Sequence, residues 1–238
     1  MKIALIGYGK MGKAIEAIAT AKGHTVIHRI DLESKHLLEK EHLQQADVAI
    51  EFTTPETAYS NILKCFEANV PVVCGTTGWL EKLPDVKARC LEKHQGFLYA
   101  SNFSIGVNIF FEINKRLAEL MATQPQYDVK MEEIHHTQKK DAPSGTAITL
   151  AEHILDKLDR KAGWVNQESS QPKELSIISK REDPAPGTHS ITYTSAIDDI
   201  SITHTAHSRE GFAAGAVIAA EWLNGKKGIF TMKDVLSL

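Results

Sequence analysis

Two adjacent imidazoles, a lysine and a Pro-Ser-Gly-Thr turn fall within fourteen residues, Glu133-Ile134-His135-His136-Thr137-Gln138-Lys139-Lys140-Asp141-Ala142-Pro143-Ser144-Gly145-Thr146. Imidazole passes protons near neutral pH. A lysine serves as a cation or, with a depressed pKa, as an acid. Pro143-Ser144-Gly145-Thr146 opens the helical-looking run Ala147 to Leu155, and free N–H groups at a helix N-terminus hold carboxylates or phosphates. The segment therefore reads as an anion cradle beside a proton donor. The same residues would also make a polar loop capping an amphipathic helix.

The N-terminus supplies a partner for that chemistry. Lys2-Ile3-Ala4-Leu5-Ile6 is a short run of strand formers leading into Gly7-Tyr8-Gly9-Lys10-Met11-Gly12, and Lys13 to Ala19 follows with apolar residues at helical spacing. Strand, G-x-G-x-x-G and helix in this order form a dinucleotide-binding fingerprint. Gly7 permits the tight turn, Gly9 lets the backbone approach a pyrophosphate, and Gly12 lets helix and strand pack closely. Asp31 ends the next strand, Thr25 to Ile30, nineteen residues past Gly12, where a ribose-binding carboxylate is expected. Asp31 favours NADH by repelling a 2′-phosphate, while Lys10, Arg29 and Lys35 are close enough in sequence to attract one. The choice between NADH and NADPH stays open. Two further polar turns follow strand candidates, Gly75-Thr76-Thr77-Gly78 after Pro71 to Cys74, and Ser101-Asn102-Phe103-Ser104 after Phe97 to Ala100. Ligands of open α/β sheets bind at such strand ends.

Positioning these groups requires two kinds of architecture. Residues 1–104 alternate strands (2–6, 25–30, 47–52, 71–74, 97–100) with helices (11–22, 56–68, 83–94), the pattern of a Rossmann-type, doubly wound parallel sheet. After a long helix candidate at 107–121, strands are expected at 127–136, 173–181, 188–195 and 199–207, with one helix at 146–158. So little helix between strands predicts an inserted α+β domain with a mainly antiparallel, mixed sheet. The apolar helix Phe212 to Leu223 must be buried, and it is expected to rejoin the first domain. Asn224-Gly225 is its C-cap, and Thr231-Met232-Lys233-Asp234 is a capping box for a final helix. The domains are thus 1–104 with 208–238, and 105–207.

The 238 residues are 42% apolar and 24% charged, as in ordinary globular proteins. A net charge of −3 offers nothing to nucleic acid or an anionic membrane. No apolar run approaches the roughly 20 residues that span a bilayer, and the first apolar stretch does not read as a signal peptide. Cys65, Cys74 and Cys90 lack metal spacing and read as cytoplasmic thiols, so no metal is expected.

His135-His136-x-x-Lys139-x-Asp141-Ala142-Pro143-Ser144-Gly145-Thr146 resembles the signature of the bacterial 4-hydroxy-tetrahydrodipicolinate (dihydrodipicolinate) reductases of lysine and diaminopimelate biosynthesis. Gly7 to Gly12, Gly75 to Gly78, Asn102-Phe103-Ser104 and the end from Gly211 extend the resemblance over the chain in the family's order. It implies a nucleotide-binding domain, a tetramer-forming sheet domain, a hinge between them, and reduction of a cyclic dicarboxylate by NADH or NADPH. It also implies His135 as proton donor, Lys139 as second catalytic residue, and substrate contacts from His136 and Ser144-Gly145-Thr146. Cofactor contacts are implied from Gly7, Tyr8, Gly9, Lys10, Met11, Gly12, Asp31, Gly75, Thr76, Thr77, Ala100, Ser101, Asn102 and Phe103. Two departures stand out. Thr137-Gln138 replaces a basic or histidine residue of many members, and the chain is shorter than many between the second strand and the Gly-Thr-Thr loop.

The residues leave open which of His135 and Lys139 donates the proton. On a strand, His135 and His136 point to opposite faces and would not share one role. His204 and His207 make a poor metal pair for the same reason. Asp198-Asp199 reads as a turn, and Arg209 either reaches the active site or lies on the surface. Other two-domain nicotinamide enzymes, such as amino-acid or sugar dehydrogenases, share the nucleotide-binding half. A non-catalytic dinucleotide-binding redox sensor would need no His135, Lys139 and Ser-Gly-Thr cluster.

Overall fold

A computed structural model of the chain describes residues 1–208 and 210–238. Arg209 lies outside the described residues. The chain forms two compact units, Met1–Ile105 with Glu210–Leu238, and Gly106–Arg209.

In chain order the elements begin β1 (Lys2–Ile6), α1 (Lys10–Ala21), β2 (Thr25–Ile30), α2 (Lys40–Leu43), β3 (Val48–Glu51) and α3 (Pro55–Glu67). They continue with β4 (Val72–Cys74), α4 (Leu83–Glu92), β5 (Gly96–Tyr99), α5 (Ile105–Met121), β6 (Asp128–His135) and α6 (Gly145–Leu155). The last are β7 (Gly163–Val165), β8 (Glu174–Arg181), β9 (Gly187–Thr194), β10 (Asp199–Ala206), α7 (Glu210–Leu223), β11 (Gly228–Phe230) and α8 (Met232–Leu236).

The first unit is a six-stranded sheet in the order β11-β5-β4-β3-β1-β2, with every ladder parallel. Its strands are apolar on both sides because helices cover both faces. Ile3, Leu5, Ile50, Val73 and Leu98 pack with α1 and α7, whereas Ala4, Ile6, Ala49, Val72 and Phe97 pack with α3 and α4. The α7 sequence EGFAAGAVIAAEWL is small and apolar nearly all round, which lets it lie close against the sheet. Asp234 completes the capping box with Thr231 at the start of α8. Between β2 and β3 the chain holds only a 3₁₀ turn, Lys35–Leu38, and α2. β11, which the sequence did not suggest, pairs with β5; three residues beside glycine carry no readable period.

The second unit is a five-stranded sheet in the order β10-β9-β6-β8-β7. On one side of β6 the neighbours run antiparallel, as expected. On the other side the sheet is parallel, because α6 is a crossover that returns the chain to β8 in the direction of β6. The three-residue β7, also unread in the sequence, extends that parallel side. The core of this unit joins Phe110, Ala118, Leu150, Ile154, Met131, Ile177 and Tyr193. Asn114 Nδ2 ties α5 to α6 by donating to Leu150 O at 3.0 Å.

A Cβ at Gly215 of α7 would lie 1.8 Å from the carbonyl oxygen of Phe103. Gly215→Ala is therefore expected to destabilise the protein by about 1–3 kcal/mol through overpacking, despite alanine's better helix propensity. The midpoint of denaturant unfolding measures this, and an unchanged or raised midpoint would contradict the close packing.

Candidate active site

In the first unit the glycine turn between β1 and α1 is fixed by Gly7 N–H donating to Ile30 O at 2.8 Å. Gly7 has φ +98°, and a Cβ there would sit 1.9 Å from Phe52 O; one at Gly12 would sit 2.3 Å from Gly7 O. Side chains cannot be accommodated at either place. At Gly9 a Cβ would meet no protein atom within 4 Å, so the space over that backbone is left for something other than the protein. A cavity of about 440 Å³ opens there, lined by Gly7, Tyr8, Gly9, Asp31, Lys35 and Thr53 among others. A second, of about 250 Å³, is walled by Met11, Phe52, Thr53, Gly75, Thr76 and Thr77. These features suit a dinucleotide, with bare backbone where a pyrophosphate would approach.

Asp31 is held in place by its own turn. Its Oδ1 accepts from Ser34 Oγ at 2.9 Å, Glu33 N at 3.0 Å and Ser34 N at 3.2 Å. The Ser34 hydroxyl first, and these backbone donors with it, hold the carboxyl below the usual range. Arg29 is engaged elsewhere: its guanidinium pairs with Glu16, which also accepts from the Tyr8 hydroxyl. Of the three basic residues near Asp31 in sequence, only Lys35 lines the larger cavity. Lys10 is exposed at the start of α1. Ala100, Ser101, Asn102 and Phe103 follow β5 and do not line these two cavities. Phe103 is buried with its ring 5.6 Å from that of Phe52, which lines both.

The second unit gathers the other set at the end of β6. Strand alternation points Glu133 and His135 to the same buried side, while His136 is half-buried. Glu133 has no exposed surface. Its carboxylate accepts from Ser144 N at 3.1 Å to each oxygen and from Ser179 Oγ at 2.7 Å. His135 Nδ1 lies 3.4 Å away, His189 Nε2 3.6 Å and Arg181 Nη1 3.7 Å. Burial would raise the Glu133 pKa, but contacts from His189, Ser144 and Ser179 outweigh it and bring it to about 2. Burial has the opposite consequence for His135, whose pKa falls to about 4 although the Glu133 charge opposes the shift. Its imidazole is therefore neutral at pH 7.

Lys139 pairs with Asp141 at 2.8 Å to both carboxylate oxygens. Arg181 pins this loop by donating to Lys139 O at 3.3 Å and Asp141 O at 2.6 Å. Thr137 is drawn to Asp183, with Oγ donating at 2.6 Å. Ser144 caps α6, its Oγ accepting from Ala147 N at 3.1 Å and touching His189 Nε2 at 3.1 Å. The N–H and hydroxyl of Ser144 are thus spent within the protein, and Gly145 and Thr146 follow it in the first turn of the helix. A Cβ at Gly145 would meet no protein atom within 4 Å.

Glu133, Arg181 and His189 were not picked out from the sequence as members of this cluster. The alternation of β6 places Glu133 with His135 and was a readable signal. His189 arrives only through the β6–β9 register, which sets it opposite Glu133. Glu133, His135 and His189 bring their ligand-type atoms within 4.8 Å of one another, but the Glu133 oxygens are already occupied by protein donors. His204 lies across from His189 on β10, and Asp198 closes the β9–β10 turn by accepting Ser195 N at 3.0 Å.

Residues 1–103 match the family model described as dihydrodipicolinate reductase, N-terminus, and residues 106–236 match the one described as dihydrodipicolinate reductase, C-terminus. The 4-hydroxy-tetrahydrodipicolinate reductase of Christiangramia forsetii is 51% identical over 239 residues, covering 100% of this chain and 98% of that one. The protein of that name from Neisseria gonorrhoeae is 38% identical over 203 residues, covering 82% of this chain and 74% of the relative. Among solved structures, a dipicolinate-bound dihydrodipicolinate reductase from Paenisporosarcina sp. TG-14 shares the fold, with a TM-score of 0.76 at 23% identity over 98% of each chain. A probable dehydrogenase from Thermotoga maritima shares it more loosely, at a TM-score of 0.58 and 10% identity, covering 99% of this chain and 92% of that one. With family models matched over both units and a relative half identical along its whole length, the chain belongs to the dihydrodipicolinate reductase family.

Proposed function

We propose that this chain reduces 4-hydroxy-tetrahydrodipicolinate to tetrahydrodipicolinate with NADH or NADPH and loss of water, the step its relatives' name describes, on the diaminopimelate route to lysine. The observation that carries the reading is the placing of His135 and the α6 N-terminus against buried Glu133, with the Lys139–Asp141 loop tied to the same cluster through Arg181. The first unit, 1–104 with 208–238 in the sequence reading, binds the cofactor. The second, 105–207, binds substrate and self-associates.

The nicotinamide cofactor supplies the hydride. Gly7, Tyr8, Gly9, Lys10, Met11 and Gly12 hold its pyrophosphate region, Asp31 the adenosine ribose, and Gly75, Thr76, Thr77 and the Ala100–Phe103 segment the remainder. Gly145 and Thr146 N–H groups, His136 and Lys139 neutralise the substrate carboxylates. Ser144 contributes by fixing that helix end. At neutral pH His135 is the neutral imidazole and not the acidic imidazolium, since burial holds its pKa near 4. Two substrate carboxylates beside it would raise that value, so His135 becomes an acid when the substrate is present. Lys139, already paired with Asp141, then exchanges that partner for a substrate carboxylate.

The exposed Ile200 on edge strand β10, with Ile197 at the β9–β10 turn, supports a homo-oligomer, which we assign as a tetramer. Three buried free thiols suit a reducing, cytoplasmic setting. No helix among the described residues is long and apolar enough to cross a membrane.

His135→Ala and Lys139→Ala are each expected to lower kcat by about 10²-fold or more while leaving NADH affinity unchanged. Oxidation of NADH or NADPH with synthase-generated substrate reads the first and calorimetry the second. Near-normal turnover in both variants would sink the assignment.

Asp31→Ser removes a ribose acceptor and a charge that repels a 2′-phosphate. The ratio of NADPH to NADH dissociation constants should fall about tenfold, the order of one lost charge-assisted hydrogen bond. An unchanged ratio would mean that another residue sets the preference.

The same cluster makes stability pH-dependent. His135 near 4 lies below its ordinary 6.5, and Glu133 near 2 below its ordinary 4.5. As pH falls, the unfolded chain takes up these protons first. The stability linked to His135 is therefore complete above about pH 6.5 and lost toward 4, and that linked to Glu133 is complete above about 4.5 and lost toward 2. The urea midpoint should fall between pH 6.5 and 4, and His135→Asn should flatten that part of the profile. Superimposable profiles would contradict a buried neutral His135.

A further inference from the structure

Glu51 ends β3 with no exposed surface, and the chemistry above makes no use of it. A buried carboxylate needs donors, and here all four are neutral groups. Thr76 Oγ donates to Oε2 at 2.7 Å and Cys74 Sγ to the same oxygen at 3.1 Å. Asn61 Nδ2 donates to Oε1 at 3.4 Å, and Thr53 Oγ donates there as well. Burial, with the Glu51 charge beside it, keeps the Cys74 thiol well above the ordinary thiol range, so it retains the proton it donates.

The two threonines are the informative members. Thr76 Oγ accepts the Thr53 N–H at 2.8 Å, which directs its own proton to Glu51. Thr53 Oγ accepts from Thr57 Oγ at 2.9 Å and from Asn61 Nδ2 at 3.3 Å, and likewise sends its proton to Glu51. One carboxylate thereby orients both hydroxyls and sets the spacing between the loops leaving β3 and β4. Both threonines stand on the wall of the smaller cavity; of the two cavities Thr76 borders only this one, while Thr53 also borders the larger.

Sheet order tells which half of a dinucleotide that cavity would face. β1 carries the glycine turn; Asp31 follows β2 on one side of it, and Thr53 and Thr76 follow β3 and β4 on the other. With pyrophosphate at the turn and adenosine ribose at Asp31, the nicotinamide half falls to the β3–β4 side. We propose that Glu51 is a positioning residue for the nicotinamide half of the cofactor, clamping Thr53 and Thr76 so that their loops offer it a rigid wall. This rests on the cofactor site proposed above. Loops fixed in advance lose little freedom when the ring arrives.

The test compares NADH with ADP-ribose, which lacks nicotinamide, by calorimetry on the full chain. Wild type should bind NADH more tightly. Glu51→Gln should weaken NADH about tenfold, the order expected when buried donors lose a charged acceptor, and leave ADP-ribose within about twofold. A merely structural role would weaken both ligands together, and that result, or unchanged NADH affinity, would overturn the proposal. Should Glu51→Gln fail to fold, Thr76→Val and Thr76→Ser carry the test. The valine variant should lose the preference for NADH over ADP-ribose and the serine variant keep it; equal preferences would overturn the clamp. Wild-type protein that binds neither ligand refutes the cofactor site itself, and the clamp with it.

Discussion

A carboxylate cut off from water must be satisfied by whatever surrounds it, and in the second unit Glu133 imposes that demand on three other elements at once. Ser144 answers from the start of α6, Ser179 and Arg181 from β8, and His189 from β9, while Glu133 itself sits on β6 beside His135. The helix end and the imidazole are therefore referenced to the same charge. Moving the strand register by one residue would put Glu133 and His135 on the opposite face and undo both contacts. The same demand explains why Ser144, though part of the signature segment, turns inward.

Electrostatics in this cluster separates the two candidate acids. His135 is buried enough to be neutral, with Lys139 and Arg181 opposing any positive charge on it. Lys139 stays at the more open end of the loop with Asp141 as counter-ion. An anionic ligand changes both balances in the same direction, making the imidazole easier to protonate and offering the lysine another partner.

Much of this was legible in the chain. The glycine turn, the Asp31 position and the helix opened by Ser144 each rest on local rules of spacing and capping, and local rules are what a single sequence records. β7 and β11 escaped because three-residue strands have no period, and their partners are supplied by the rest of the sheet. The parallel side of the second sheet follows from the β6–α6–β8 crossover, and a sequence shows such a helix between strands without the direction in which the chain returns. His189 and Arg181 reach the site through strand pairing, and nothing local marks them.

The last strand of the first unit has a consequence for the order in which the molecule is made. β11 pairs with β5, more than a hundred residues earlier in the chain, and α7 covers the sheet face that includes Leu5 and Val73. Every ladder of the second unit, by contrast, closes within one continuous stretch of chain. A ribosome therefore finishes the second unit's strands while the first still lacks an edge strand and a helical cover. During that interval the apolar side of β1, β3, β4 and β5 is without its final partner, the kind of surface that chaperones recognise.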